Sequence, residues 1–351
     1  MGTWLARRLG QAVLAAWLIA SAVFLVDRLS GPPPEQYLLE QLDEQPAYAN
    51  AGLAATLQAM RHRLGLDQPL FYVGRAADGQ WQWQWQGIPN QYHTWMRELL
   101  HGRLGYSYRD GQPVQSQLVP ALAYTLPLVA LALLLSTALA LALAMHLAAR
   151  RPGHTALMAL LTTVHALPLF MLGLGLLLLL ANPAFLNIMP AADLSGYPSD
   201  LGSWAWLASY LPQLVLPVAC LVLGALPELT IPLAASLRTE LRSPYAVAAR
   251  AKGLTMRRLL WRHALPNALL PLLTTLAGLL PTLVAGAVVV EVLFALPGTG
   301  RLLAEAAATR DYPVLEAGVL LTAAARLLAL LLVDAAQYLL DPRLRASTLS
   351  Q

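Results

Sequence analysis

The sequence predicts an all-α polytopic membrane protein with six transmembrane helices and a sizeable extracytoplasmic region after the first. Three observations carry that prediction. Of the 351 residues, 57% are hydrophobic and only 12% charged, about half the charged share of a soluble domain, and mean hydropathy is +0.54. Several apolar runs exceed the roughly 20 residues that cross a bilayer. Arginine is concentrated in some of the connections between those runs and sparse in the others.

Composition also excludes several classes. The single cysteine, Cys220, lies in an apolar run, so there is neither a disulfide framework nor a thiolate metal cluster, and it reads as a small buried hydrophobe. The net charge of +4 follows the membrane connections and calls for no nucleic-acid partner. The chain has one lysine, Lys252, followed by Gly253 and Leu254. A phosphate-binding G-x4-G-K-[ST] loop is therefore absent, and any ATP that drives this protein is bound by another chain. No metal or cofactor is implied.

Residues 1–30 make the first element. Arg7 and Arg8 precede the apolar run Leu9 to Val26, which is long for a signal-peptide core and is followed by Asp27-Arg28 rather than small residues; a retained span is the expectation. Gly31-Pro32-Pro33-Pro34 ends it. Residues 31–117 form the polar, extracytoplasmic region. Within it Trp81, Trp83 and Trp85 alternate with glutamine, which predicts a short strand or hairpin with one aromatic face, serving as an interfacial patch or as a docking surface. His62, His93 and His101 have no metal-ligand spacing.

The core, 118–345, holds five further spans. The second lies within Leu118 to Ala149 and ends at Arg150-Arg151-Pro152-Gly153. The third covers about Thr155 to Ala181, stopping at Asn182-Pro183. The loop 182–210 has acidic and Trp residues but no Lys or Arg. Leu211 to Ala235 is the fourth, interrupted by four prolines. Leu269 to about Leu296 is the fifth and Val314 to Leu340 the sixth, with residues 346–351 as a tail.

The most basic stretch is 236–268, around SPYAVAARAKGLTMRRLLWRHALP. Ser243 offers a hydroxyl cap and Pro244 suits a first helical turn, with Tyr245 next. Ala246, Ala248, Ala249 and Ala251 favour helix, Arg250 and Lys252 make its last turn basic, and Gly253 supplies a left-handed stop. Thr255 can cap a second helix from Met256 to about Leu265, next to Pro266. Orientation follows from counting cations: with the N-terminus cytoplasmic, Arg7, Arg8, Arg150, Arg151, Arg343, Arg345 and seven Lys/Arg between Arg238 and Arg262 fall inside, against Arg301 and Arg310 in short outer loops. Both termini are then cytoplasmic.

Two alanines, Gly253 and Leu265-Pro266 stand at the spacing of the EAA loop of ABC-importer membrane subunits, EAA-x3-G-x9-I-x-L-P, although Val247 replaces the glutamate and His263 the isoleucine. AARAKGL and RHALPNALLP resemble the peptide-transporting branch. RHRLGLDQPL (61–70), Trp95 to Val114, FALPGTGRLLAEAAATRDYPVLEAG (294–318) and DPRLR (341–345) resemble further family segments, while about Val73 to Asn90 departs from it. The chain thus resembles the permease subunit of peptide/nickel-type ABC importers over nearly its whole length. The resemblance implies the type I importer permease fold, a loop 236–268 that docks on a cytoplasmic ATPase, two ATPase subunits or domains, a second homologous permease, and an extracytoplasmic solute-binding protein. It also implies that this chain is not itself an enzyme.

Glu228, Glu291, Arg326 and Asp334 fall within or near apolar segments, where ionisable groups are costly. They either lock helices together or line a polar path; one expectation is that Arg326 pairs with Glu228 or Glu291. Glu291 and Asp334 match family acids. Two other functions compete: an ATP-independent secondary transporter using these four residues, and an intramembrane enzyme around His146, His165 and Ser136, which match no catalytic motif. The solute, whether peptide, nickel or another small molecule, is not encoded in any stretch of the sequence that stands out.

Overall fold

The computed structural model describes residues 2–30, 67–75, 83–186, 188 and 211–340. The predicted helix stop at Gly31, most of the RHRLGLDQPL stretch with His62, Trp81, the bulk of the outer loop 182–210 and the closing DPRLR lie outside these residues.

Helix α1 covers Gly2–Ser30. Strands β1 (Val73–Arg75) and β2 (Trp83–Trp85) pair antiparallel, Val73 opposite Trp85 and Arg75 opposite Trp83. They realise the hairpin expected from the Trp/Gln alternation. Helix α2 (Gln91–Leu100) follows, then α3 (Val114–Ala148), α4 (His154–Ala166) and α5 (Leu169–Leu176), the last extended by a π-helical turn, Leu177–Ala181. A 3₁₀ turn, Leu211–Leu214, leads into α6 (Val215–Arg242). The short helices α7 (Pro244–Ala251) and α8 (Met256–Leu259) precede a second π turn, Leu260–Ala264, and α9 (Leu265–Leu293). Helices α10 (Thr299–Ala308) and α11 (Tyr312–Leu340) complete the order. Among the described residues, five helices are long and apolar enough to cross a membrane, or up to six if the bent pair α4–α5 forms one span.

The chain divides into two units. In the unit of Met1–Ala16, Val119–Glu305 and Leu321–Gln351, α6 is the hub. It packs on α4, α5 and most extensively on α9, and buries Leu221, Leu229, Leu233 and Leu237 among many others. Its prolines 227 and 232 do not interrupt it, contrary to the expectation from sequence, and it runs on to Arg242; helices in apolar spans tolerate proline.

The third span also departs from expectation. It is two helices meeting at 106°, not one rod. Pro168 disfavours helical backbone at Leu167, which is extended at φ −87, ψ 130. Close packing then holds the corner. A Cβ on Gly224 of α6 would meet the Leu169 side chain at 2.9 Å, and one on Gly286 of α9 would meet it at 3.0 Å. The two glycines make the room that Leu169 occupies.

In the unit of Trp17–Leu118 and Ala306–Leu320, aromatic rings gather. Phe24 of α1, fully buried, meets Tyr92 edge-on and lies against Trp95 of α2. Tyr72 stacks on Trp85; the aromatic face expected of Trp81, Trp83 and Trp85 together also needs the side chains of Trp81 and Trp83, which lie outside the described residues. Asn90, fully buried, caps α2 by accepting from His93 N–H at 2.7 Å. Asp311 binds the Ser107 hydroxyl and accepts from the Tyr108 N–H at 3.0 Å, tying the turn after α2 to the start of α11.

Candidate functional site

The basic segment begins where α6 ends. Ser243 is extended (φ −66, ψ 154), the only non-helical residue between α6 and α7. Its hydroxyl does not cap α7 as predicted; it donates backwards to the Glu240 carbonyl at 2.6 Å. Pro244, in the first turn, begins α7 without needing that cap. Ala246 is fully buried, Ala249 half-buried, and Tyr245, Val247, Ala248, Arg250 and Lys252 are exposed.

Gly253 ends α7 at φ +84. Its N–H donates to Arg250 O at 2.9 Å and the Leu254 N–H to Ala249 O at 3.1 Å, the paired bonds of a Schellman stop. The second helix is shorter at first and then longer than expected. It begins after an extended Thr255 that makes no side-chain cap, and it does not stop at about Leu265. The π turn at Leu260–Ala264 lets the helix pass into α9 with buried Leu265 and exposed Pro266 in the first turn, where a proline's missing N–H costs least. Thr255, Arg257, Arg258 and the exposed Trp261 line an open groove of about 430 Å³.

Two residues absent from the sequence prediction organise this corner. The Glu240 Oε2 accepts from the Tyr245 hydroxyl at 2.6 Å and from Asn267 Nδ2 at 3.1 Å. Asn267 Nδ2 is also 3.4 Å from the Tyr245 oxygen. Partial burial, and then the bond to Glu240, raise the Tyr245 pKa above its ordinary value. At the other end of α7, Arg250 donates to Leu241 O at 3.0 Å, and Arg238 of α6 donates to Leu147 O of α3 at 3.1 Å.

The four intramembrane charges have different surroundings. Glu291 is 1% exposed. It accepts from Thr125 Oγ1 at 2.7 Å, Gly300 N–H at 2.6 Å and Arg301 N–H at 3.3 Å, so α3, α9 and the first turn of α10 meet on one carboxylate. Thr125 Oγ1 in turn accepts from Thr299 N–H at 2.9 Å. Asp334 of α11 lies 3.4 Å from Arg8 of α1. Half-buried Glu228 and exposed Arg326 make no hydrogen bond or ion pair among the described residues, so the expected pairing of Arg326 with Glu228 or Glu291 is not present there.

Residues 136–346 match the profile of the family described as "binding-protein-dependent transport system inner membrane component". The chain belongs to that family. The permease is 33% identical over 306 residues to the dipeptide transport system permease protein DppB of Escherichia coli K12, covering 80% of this chain and 83% of the relative. It is 30% identical over 361 residues to the di/tripeptide transport system permease protein DppB of Pseudomonas aeruginosa, covering 98% and 99%. A probable peptide ABC transporter permease of Sinorhizobium fredii is 30% identical over 352 residues, covering 98% and 100%. The permease is thus a multi-pass inner-membrane component of an ABC transporter, from a family whose membrane components are generally non-catalytic and work with ATPase and binding-protein partners.

Proposed function

We propose that the permease forms part of the translocation path of an ABC importer for peptides or similar small solutes, and that its segment 236–268 docks on a separate ATPase subunit. The observation that carries this reading is α7 itself. It is a short helix closed by a Gly253 stop, with Val247, Ala248, Arg250 and Lys252 exposed, projecting where two packed spans meet. Small alanines allow close approach to a groove, and the absence of a phosphate-binding loop assigns ATP to another chain. ATP-driven closure of two ATPases would draw the docked helices together and rock the spans between inward- and outward-open states.

The same reading takes residues 1–30 as a cytoplasmic N-terminus and first span, 31–117 as the extracytoplasmic region that meets a solute-binding protein, and 118–345 as the core beside a second permease. The peptide class follows the names of the relatives. A secondary transporter is the weaker alternative, because Glu291 is enclosed by three donors and Asp334 is paired, which leaves Glu228 and Arg326 as ion sites.

Gly253→Val is the test. A β-branched residue at φ +84 is strained and breaks the Schellman stop. The variant is expected to insert in the membrane and to lose solute uptake while the ATPase continues to hydrolyse. Wild-type uptake in that variant would remove the docking role.

A further inference from the structure

We propose that the Glu240 carboxylate is the junction through which α7 moves α6 and α9 as one body, with Tyr245 and Asn267 as its positioning residues. The junction matters only if α7 docks on an ATPase, and so it rests on that reading.

Helix α7 is joined to its neighbours by weak points. One extended residue, Ser243, separates it from α6, and the left-handed Gly253 with Leu254 and Thr255 separates it from α8. A helix hung on two such joints would swivel under load, and a pull at its exposed face would be spent on rotation. Two ties remove that freedom. At the near end Tyr245, in the first turn of α7, donates to Glu240 in the last turn of α6. At the far end the Arg250 guanidinium holds the Leu241 carbonyl.

Glu240 does more than close the elbow. The oxygen that accepts from Tyr245 also accepts from Asn267, which lies in the first turn of α9. Three helices therefore converge on one carboxylate oxygen, through charge-assisted bonds that are shorter and stronger than neutral ones. The chain between α7 and α9 passes through Gly253, α8 and a π turn, a compliant route. The junction bypasses it. Since α6 and α9 are the most extensively packed helix pair, a displacement delivered to both at their ends is carried along the whole bundle.

The experiment uses the whole transporter, purified through a tag on this chain from its own cell membranes and reconstituted in vesicles. Val292 at the far end of α9 is half exposed and becomes the reporter as Val292→Cys, read by its rate of reaction with a maleimide with and without ATP and magnesium. The native Cys220 is buried and stays silent. In the otherwise wild-type chain, ATP is expected to change the labelling rate. Tyr245→Phe should reduce that change by about tenfold, the size of losing one charge-assisted bond, and Glu240→Ala, which removes both bonds, by more, while the ATPase still co-purifies and hydrolyses ATP. Glu240→Gln, which keeps an acceptor oxygen, should fall between. A purely structural role would instead lower yield and hydrolysis together. An ATP response of wild-type size in both Tyr245→Phe and Glu240→Ala would overturn the junction, as would loss of ATPase co-purification in them. If Glu240→Ala fails to accumulate, Tyr245→Phe decides, since it removes a single hydroxyl from a half-exposed ring. Absence of any ATPase with the wild-type chain would instead overturn the docking reading itself.

Discussion

The Glu291 carboxylate occupies the space that a side chain on Gly298 would need. A Cβ on Gly298 would fall well inside contact distance of all three carboxyl atoms, and one on Gly300 would press into the Val288 backbone. The glycines of this loop are therefore a mould around an acid that holds α3, α9 and α10 together. Gly298→Ala is expected to destabilise the permease by about 1–3 kcal/mol, the usual range for overpacking, and Gly300→Ala by more, because backbone yields less than a carboxylate. Glu291→Ala should orphan the Gly300 N–H and leave the Thr125 hydroxyl only its weaker neutral partners, Ala121 O and Thr299 Oγ1, yet combined with Gly298→Ala it should cost less than the two separately. Thermal unfolding in detergent measures all four.

The Arg8–Asp334 pair ties the first helix to the last. Removing Arg8 takes this ion pair from the Asp334 carboxylate in an apolar setting, which is worse than removing both. Arg8→Leu and Asp334→Leu are each expected to lower the unfolding midpoint, and the double variant to recover part of the loss. A double variant as low as the sum of the singles would show that the pair is not coupled.

Arg326 has no partner among the described residues and is exposed on α11. In the isolated chain, Arg326→Leu is expected to leave stability within about 0.5 kcal/mol. An effect that emerges only in the assembled transporter would place the guanidinium against another chain or the solute.

Asp110 gives a pH signature to the turn after α2. The Gln112 N–H lowers its pKa most, with the Ser107 and Gln117 side chains adding to that effect and slight burial opposing it. A carboxylate with a depressed pKa contributes stability above its ordinary value of 3.8, which is lost as pH falls through the lower one. Amide-exchange protection of residues 105–117 is expected to be flat from neutral pH to about pH 4 and to drop below it. Asp110→Asn should abolish the dependence.

Hydropathy made the spans legible, because a bilayer demands a long apolar run whatever the partners of a helix. It did not reveal the corner at Pro168. From Thr155 to Ala181 the run is mostly apolar and holds no Asp, Glu, Lys or Arg, and the bend depends on Leu169 fitting against Gly224 and Gly286, contacts remote in sequence. The Schellman stop was legible from Gly253 because the signal is local. Glu240 carries no such local signal: it stands at the polar end of a span, and only folding brings Tyr245 and Asn267 to it. Ser243 shows the limit of local rules, since its hydroxyl had two backbone directions available and took the other.

The corner between α4 and α5 sets the parity of the whole topology. If the bent pair crosses the bilayer, every later element lies on the side that an odd or even count assigns it, and the seven cations from Arg238 to Arg262 join Arg7, Arg8, Arg150 and Arg151 on one face. If the pair dipped in and returned, α6 would run the other way and deliver those cations to the opposite compartment, against the bias that governs insertion. A single proline, with two glycines opposite, thus sits at the point where the chain's sidedness is decided.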